Sequence, residues 1–73
     1  MTPALPRGLS GTQVSKALQP GGFEHVSARG SHAKYRADGR TAIVPIHPNL
    51  APGTLRSIPR QADWSIDELL KCL

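Results

Sequence analysis

Gly30-Ser31-His32-Ala33-Lys34-Tyr35-Arg36, followed by Asp38-Gly39 and then by Thr41 to Ile46, is the stretch that decides how this chain folds. Aspartate followed by glycine is a two-residue hairpin signal, because both positions of the tight turn need a left-handed backbone that these residues tolerate. The flanking runs alternate as half-buried strands do. Over residues 31–36, alternation sends Ala33 and Tyr35 to one face and His32, Lys34 and Arg36 to the other. Over Thr41 to Ile46 it turns Ala42, Val44 and Ile46 inward. Pro45 lacks an N–H and belongs on an edge strand. Gly30 makes a second tight turn, back to a strand from Phe23 to Arg29 that Phe23 anchors. Three antiparallel strands in chain order follow from these signals.

Helices flank the sheet. Ser10 with Gln13 three residues on forms a capping box, and Leu9 with Val14 forms a hydrophobic staple, so a helix is predicted over about 10–19. Val14, Ala17 and Leu18 continue it at helical spacing, and Pro20-Gly21-Gly22 ends it. After a loop from His47 to Ala51, Pro52 suits the first turn of a helix whose apolar stripe is Leu55, Ile58 and Ala62. Pro59 removes a backbone donor there and is expected to kink or shorten the helix. A third helix starts at Ser65, boxed by Glu68 and stapled by Trp64 and Leu69, with Ile66, Leu69, Leu70 and Leu73 on its apolar face. The fold class is therefore α+β: a small single domain, α-β-β-β-α with a short extra C-terminal helix and a three-stranded antiparallel sheet. Residues 1–8 read as a flexible N-terminal arm and residues 9–73 as the domain.

A chain of 73 residues with Phe23, Tyr35 and Trp64 as its only aromatics builds a thin core. At this size about 60% of the unfolded surface is buried. That leaves no room for a deep pocket around an organic cofactor, and none is expected. Cys72 is the only cysteine, which excludes an intramolecular disulfide and a cysteine zinc site and suits a reducing compartment. Neither a signal-like apolar run nor a membrane-length segment is present, so a cytoplasmic protein is expected.

The net charge of +4 is unevenly spread. Arg29, Lys34, Arg36, Arg40, Arg56 and Arg60 face a single anion, Asp38, within 29–60, which makes that stretch +5 and the remainder −1. A concentrated basic face favours a polyanionic partner, nucleic acid first and an anionic membrane or acidic protein second. Within it, His32 follows a glycine turn. Histidine is the side chain that exchanges a proton near neutral pH, and glycine lets a ligand approach the backbone closely. His25, His32 and His47 sit on different segments without close ligand spacing, which argues against a zinc site. Taken alone, each histidine reads as a surface residue bonded to its own turn or strand.

Gly22-Phe23, Gly30-Ser31-His32 with Lys34-Tyr35, Val44-Pro45-Ile46-His47, Pro52-Gly53-Thr54-Leu55-Arg56-Ser57-Ile58 and Arg60-Gln61-Ala62 together resemble the HicA family, the toxins of HicA–HicB toxin–antitoxin pairs. The likeness runs from about residue 10 to residue 73. It implies a fold like that of double-stranded-RNA-binding domains and the activity of an mRNA interferase, an endoribonuclease of a type II system that a HicB-like antitoxin silences by covering the active site. The family's catalytic histidine falls on His32. Ser27 stands where the family commonly has a basic residue, Asp63 where it has glycine, and Pro59 where it has a helix-compatible residue.

Metal-independent RNA cleavage through the ribose 2′-OH needs a base, charge stabilisation at phosphorus and a proton for the leaving oxygen. On this reading His32 is the base or acid. Lys34 and Arg36 bind phosphate, the N–H groups of Gly30 and Ser31 add an anion nest, and Arg29 and Arg40 contribute attraction. The second proton carrier stays open among Lys34, His47 and water. The partners expected are mRNA and the antitoxin, with no membrane; the toxin alone is expected to be monomeric, with larger assemblies formed through the antitoxin. The alternative is a non-catalytic RNA-binding module of the same fold.

Overall fold

The structure, a computed structural model, describes residues 8–73; apart from Gly8, the expected N-terminal arm lies outside the described residues. Helix α1 (Gly11–Leu18) begins at the expected capping box. Ser10 Oγ accepts from the Gln13 N–H at 3.1 Å, and Gln13 Oε1 accepts from the Ser10 N–H at 2.9 Å. Leu9 and Val14 both enter the core. A 3₁₀ turn (Gln19–Gly21) and a left-handed Gly22 close the element and lead into the sheet.

Strands β1 (Glu24–Arg29), β2 (His32–Ala37) and β3 (Arg40–Pro45) form an antiparallel sheet in chain order, with β2 in the centre. Asp38 and Gly39 both have positive φ, 45° and 77°, as their hairpin turn demands. The turn sets the register: Ala37 pairs with Arg40, Tyr35 with Ala42, Ala33 with Val44 and His32 with Pro45. Helices α2 (Pro52–Ala62) and α3 (Ile66–Cys72) complete the small α+β arrangement read from the sequence. Among the described residues, no helix is long and apolar enough to cross a membrane.

One face of the sheet is covered and the other is bare. Ala33, Tyr35 and Ala37 of β2 and Ala42 and Val44 of β3 pack with Val14, Ala17 and Leu18 of α1, with Leu55, Ile58 and Ala62 of α2, and with Leu69 of α3. Burying a side chain such as Leu18 or Ile58 contributes roughly 1.5–3 kcal/mol, so this single layer is where the stability resides. All six residues of β1 are exposed. Its pairing with β2 shifts at a bulge between His25 and Ser27, which leaves Val26 46% exposed.

Three expectations need correction. Ile46 is 40% exposed instead of inward, because β3 ends at Pro45 and alternation does not extend past the strand. Leu73 is also exposed and Ile66 and Leu70 are only half-buried, since the short α3 presses one residue, Leu69, into the core. Pro59 does not shorten α2, which runs on to Ala62 with the proline buried. The proline stands only a turn from the helix end, and its own carbonyl accepts the Trp64 N–H at 2.8 Å. Asp63 takes the left-handed cap conformation, φ 59°, that glycine would adopt more readily.

Gly21 is fixed by packing. A Cβ there would overlap the Trp64 ring, which itself meets Phe23 edge-on at 5.6 Å. Gly21→Ala is expected to displace Trp64 and cost about 1–3 kcal/mol, read as a fall in Tm of about 4–8 °C per kcal/mol. Asp63→Gly should move the other way, raising stability by up to about 1 kcal/mol through relief at the cap, measurable in the same melts.

Candidate functional site

The bare face of the sheet carries the side chains that the core does not use. Because Ala33, Tyr35 and Ala37 point inward, His32, Lys34 and Arg36 must point out. His32 opens β2, directly after the Gly30-Ser31 turn. Its Cα partners are Arg29 on β1 and Pro45 on β3. Gly30 has φ 58°, and nothing lies within 4 Å of where its Cβ would be, so a ligand can approach the turn's backbone unobstructed.

Ser27, Arg29, His32, Lys34 and Ile43 line a shallow hollow of about 310 Å³ on this face. Two cations and an imidazole therefore share one concavity, floored on one side by the Ile43 side chain. Arg36 shares the face but lies four residues from His32, about 13 Å along the strand, opposite Glu24. It does not line the hollow.

Arg40, expected to attract RNA, is held elsewhere. Its Nη1 donates to the Ala62 carbonyl at 2.9 Å, its Nε donates to the Ala37 carbonyl at 3.4 Å, and its guanidinium stands 5.2 Å from the Phe23 ring centroid. A cation at the carbonyl end of α2 also complements the helix dipole. This arginine ties β3 to α2. Close by, Gln61 Oε1 accepts the Ile43 N–H at 3.0 Å, so a helix side chain occupies a donor of the edge strand.

The structure brings a further histidine to the turn. His47 lies two residues past Pro45; its Nε2 shares a hydrogen bond with Ser31 Oγ at 3.2 Å, and its ring centroid stands 6.4 Å from that of His32, nearly perpendicular. Sequence patterning alone places it only in the chain leaving the third strand. The finer signal is in the hairpin: counting back from Asp38-Gly39 pairs His32 with Pro45, and one more step of alternation puts His47 across from the Gly30-Ser31 turn. His25 is not part of the group, since it lies on the inner side against Tyr35 at 5.3 Å. Among the described residues, no three His, Cys, Asp or Glu side chains gather into a metal-holding cluster.

What positions His47 is the start of α1. The Gly11 N–H donates to the His47 carbonyl at 2.9 Å, and the Ile46 N–H donates to the Ser31 carbonyl. A Cβ on Gly11 would overlap the Pro45 carbonyl oxygen and fall 2.8 Å from Ile46 Cα. Only glycine lets the helix come this close to the end of β3.

Fold and site together define a small α+β domain that presents a histidine-bearing cationic hollow on an open sheet face. The chain belongs to the HicA toxin family: the family model described as "HicA toxin of bacterial toxin-antitoxin" matches residues 11–64, well over half of the chain and inclusive of every residue of the hollow. It is accordingly the toxin of a toxin–antitoxin system, and membership implies an antitoxin partner. No curated protein matches the chain.

Gly11→Ala is expected to force α1 away from β3, where the neighbours are backbone and cannot swing aside. The cost should be about 1–3 kcal/mol or more, seen in denaturant unfolding, with a shift of the His47 ring resonances in the folded fraction.

Proposed function

We propose that this toxin is an endoribonuclease, an mRNA interferase that cuts RNA through its own 2′-hydroxyl with His32 as a proton carrier. The observation that carries the reading is the placement of His32, exposed at the head of β2, in a hollow shared with Arg29 and Lys34. Attack by the 2′-oxygen builds negative charge on the phosphorane, and cations fixed within reach of that position favour it over the ground state. Lys34 lies two residues along the strand from His32, about 7 Å, a spacing that suits one phosphate between them. Arg29 approaches from the neighbouring strand, and the N–H groups of Gly30 and Ser31 offer additional donors at the turn. Arg36, farther along the same face, suits a flanking phosphate. Arg40 has a structural role and is left out of the binding set.

An open site of this kind on so small a protein is silenced most simply by being covered. A HicB-like antitoxin that presents acidic groups to the basic face would be drawn there electrostatically and would sequester His32. The same face without catalysis would make an RNA-binding module, and product formation separates the two. His32→Ala is expected to abolish cleavage of a labelled transcript while circular dichroism stays that of the native protein, because the side chain contributes nothing to the core. RNA methylated at the 2′-oxygen should bind and remain intact, and EDTA should leave the rate unchanged. Full cleavage by His32→Ala, or cleavage of the methylated strand, would refute the mechanism.

The cations make a separate claim. With Arg29 and Lys34 both changed to alanine, affinity for single-stranded RNA should fall. The slope of log affinity against log salt should flatten by about 0.7 for each phosphate no longer neutralised. An unchanged slope in a filter-binding titration would place the RNA elsewhere on the molecule.

A further inference from the structure

We propose that His47 is the second proton carrier of the site, so that two imidazoles, His32 and His47, flank the scissile phosphodiester; the assignment rests on the ribonuclease reading. The two rings are too far apart to bond each other, at 6.4 Å between centroids, yet close enough for one phosphodiester to reach both. They arrive by independent routes. His32 is fixed by the register of β2. His47 is held by its backbone bond to Gly11 at the start of α1 and by the bond between its Nε2 and Ser31 Oγ. Both side chains are exposed, so neither is needed to fill the core. Ser31 is a positioning residue: it ties the His47 ring to the turn that carries His32.

Cleavage through the 2′-oxygen requires two proton transfers on opposite sides of phosphorus. One imidazole takes the proton from the 2′-OH as the 2′-oxygen bonds to phosphorus. The other gives a proton to the 5′-oxygen as the bond between phosphorus and that oxygen breaks. The products are a 2′,3′-cyclic phosphate and a free 5′-hydroxyl. The two rings finish with their protons exchanged and re-equilibrate through water. A single histidine would have to perform both transfers from one side. A second ring beside the same turn removes that difficulty.

The test compares wild type, His32→Ala, His47→Ala and His47→Gln on two RNA substrates. One is an ordinary strand. The other carries sulfur in place of the bridging 5′-oxygen at a single position, so that the leaving group is a thiolate. Thiols have pKa near 8.5 and depart without help from an acid. On ordinary RNA, either alanine variant should lose about 10²–10⁴-fold in rate. On the sulfur-bridged strand, one of the two should regain most of that loss and the other should not, which identifies the acid and the base. His47→Gln keeps a hydrogen-bonding group at the position of Nε2 for Ser31 but carries no exchangeable acid proton, and it should be as slow as His47→Ala. The backbone bond from Gly11 is retained in both variants, and their melting curves should match the wild type.

The outcomes are separable. If wild type leaves ordinary RNA uncut, the ribonuclease reading falls and takes this assignment with it. If wild type cuts, and His32→Ala does not, but His47→Ala cuts at the full rate, only the His47 assignment falls. Recovery of both variants or of neither on the sulfur-bridged strand, or restoration of ordinary cleavage by His47→Gln, would likewise overturn it, the last by showing that the ring merely holds the turn.

Discussion

Ala33, Tyr35 and Ala37 can enter the core only if His32, Lys34 and Arg36 leave it, because successive side chains of a strand point to opposite faces. Slipping β2 by one residue would bury two cations and an imidazole and expose Tyr35. Such a slip would remove an aromatic from a thin core and place unpaired charge inside it, a change this small domain cannot sustain. The Asp38-Gly39 turn fixes the register against β3, and the Gly30 turn fixes it against β1. Hydrophobic burial on one side of the sheet thereby dictates where His32, Lys34 and Arg36 stand on the other.

The second constraint is the contact between the start of α1 and the end of β3. Gly11 has no side chain, so the helix can settle against the Pro45 carbonyl and donate to the carbonyl of His47. The chain leaving the sheet is held there. Arg40 and Gln61 do the corresponding work at α2, one bonding to the helix end and the other accepting a donor from the strand edge. The sheet is thus braced by two helices distant in sequence, α1 and α2.

Much of this is legible in the chain because its signals are local. The capping boxes at Ser10 and Ser65, the aspartate-glycine hairpin and the alternation of β2 each act within a few residues, and each forms as read. Features that depend on distant partners are not legible in that way. Nothing near Gly11 or Gly21 in the sequence shows that Pro45 and Trp64 will press against them. Nothing near Arg40 shows that Ala62 will take its guanidinium. Ile46 reads as inward only when a strand rule is extended one residue beyond the strand, and Leu73 only when a helical stripe is extended past the last turn that packs. Pro59 is disruptive in a helix middle, whereas here it lies a turn from the end. His47 sits between the two kinds of signal: hairpin counting brings it to the turn, but only a fixed register makes that counting meaningful.

The division between a supporting face and a reactive face has a consequence for inheritance. If the outer imidazoles carry the activity proposed for them, an exchange that silences one leaves the architecture untouched, and the altered product persists as an intact but harmless double. Wherever the antitoxin grips surface that such an exchange spares, the double still occupies it. A cell that makes both forms would then have less antidote free for the working copy, and damage to one allele would sharpen the effect of the other.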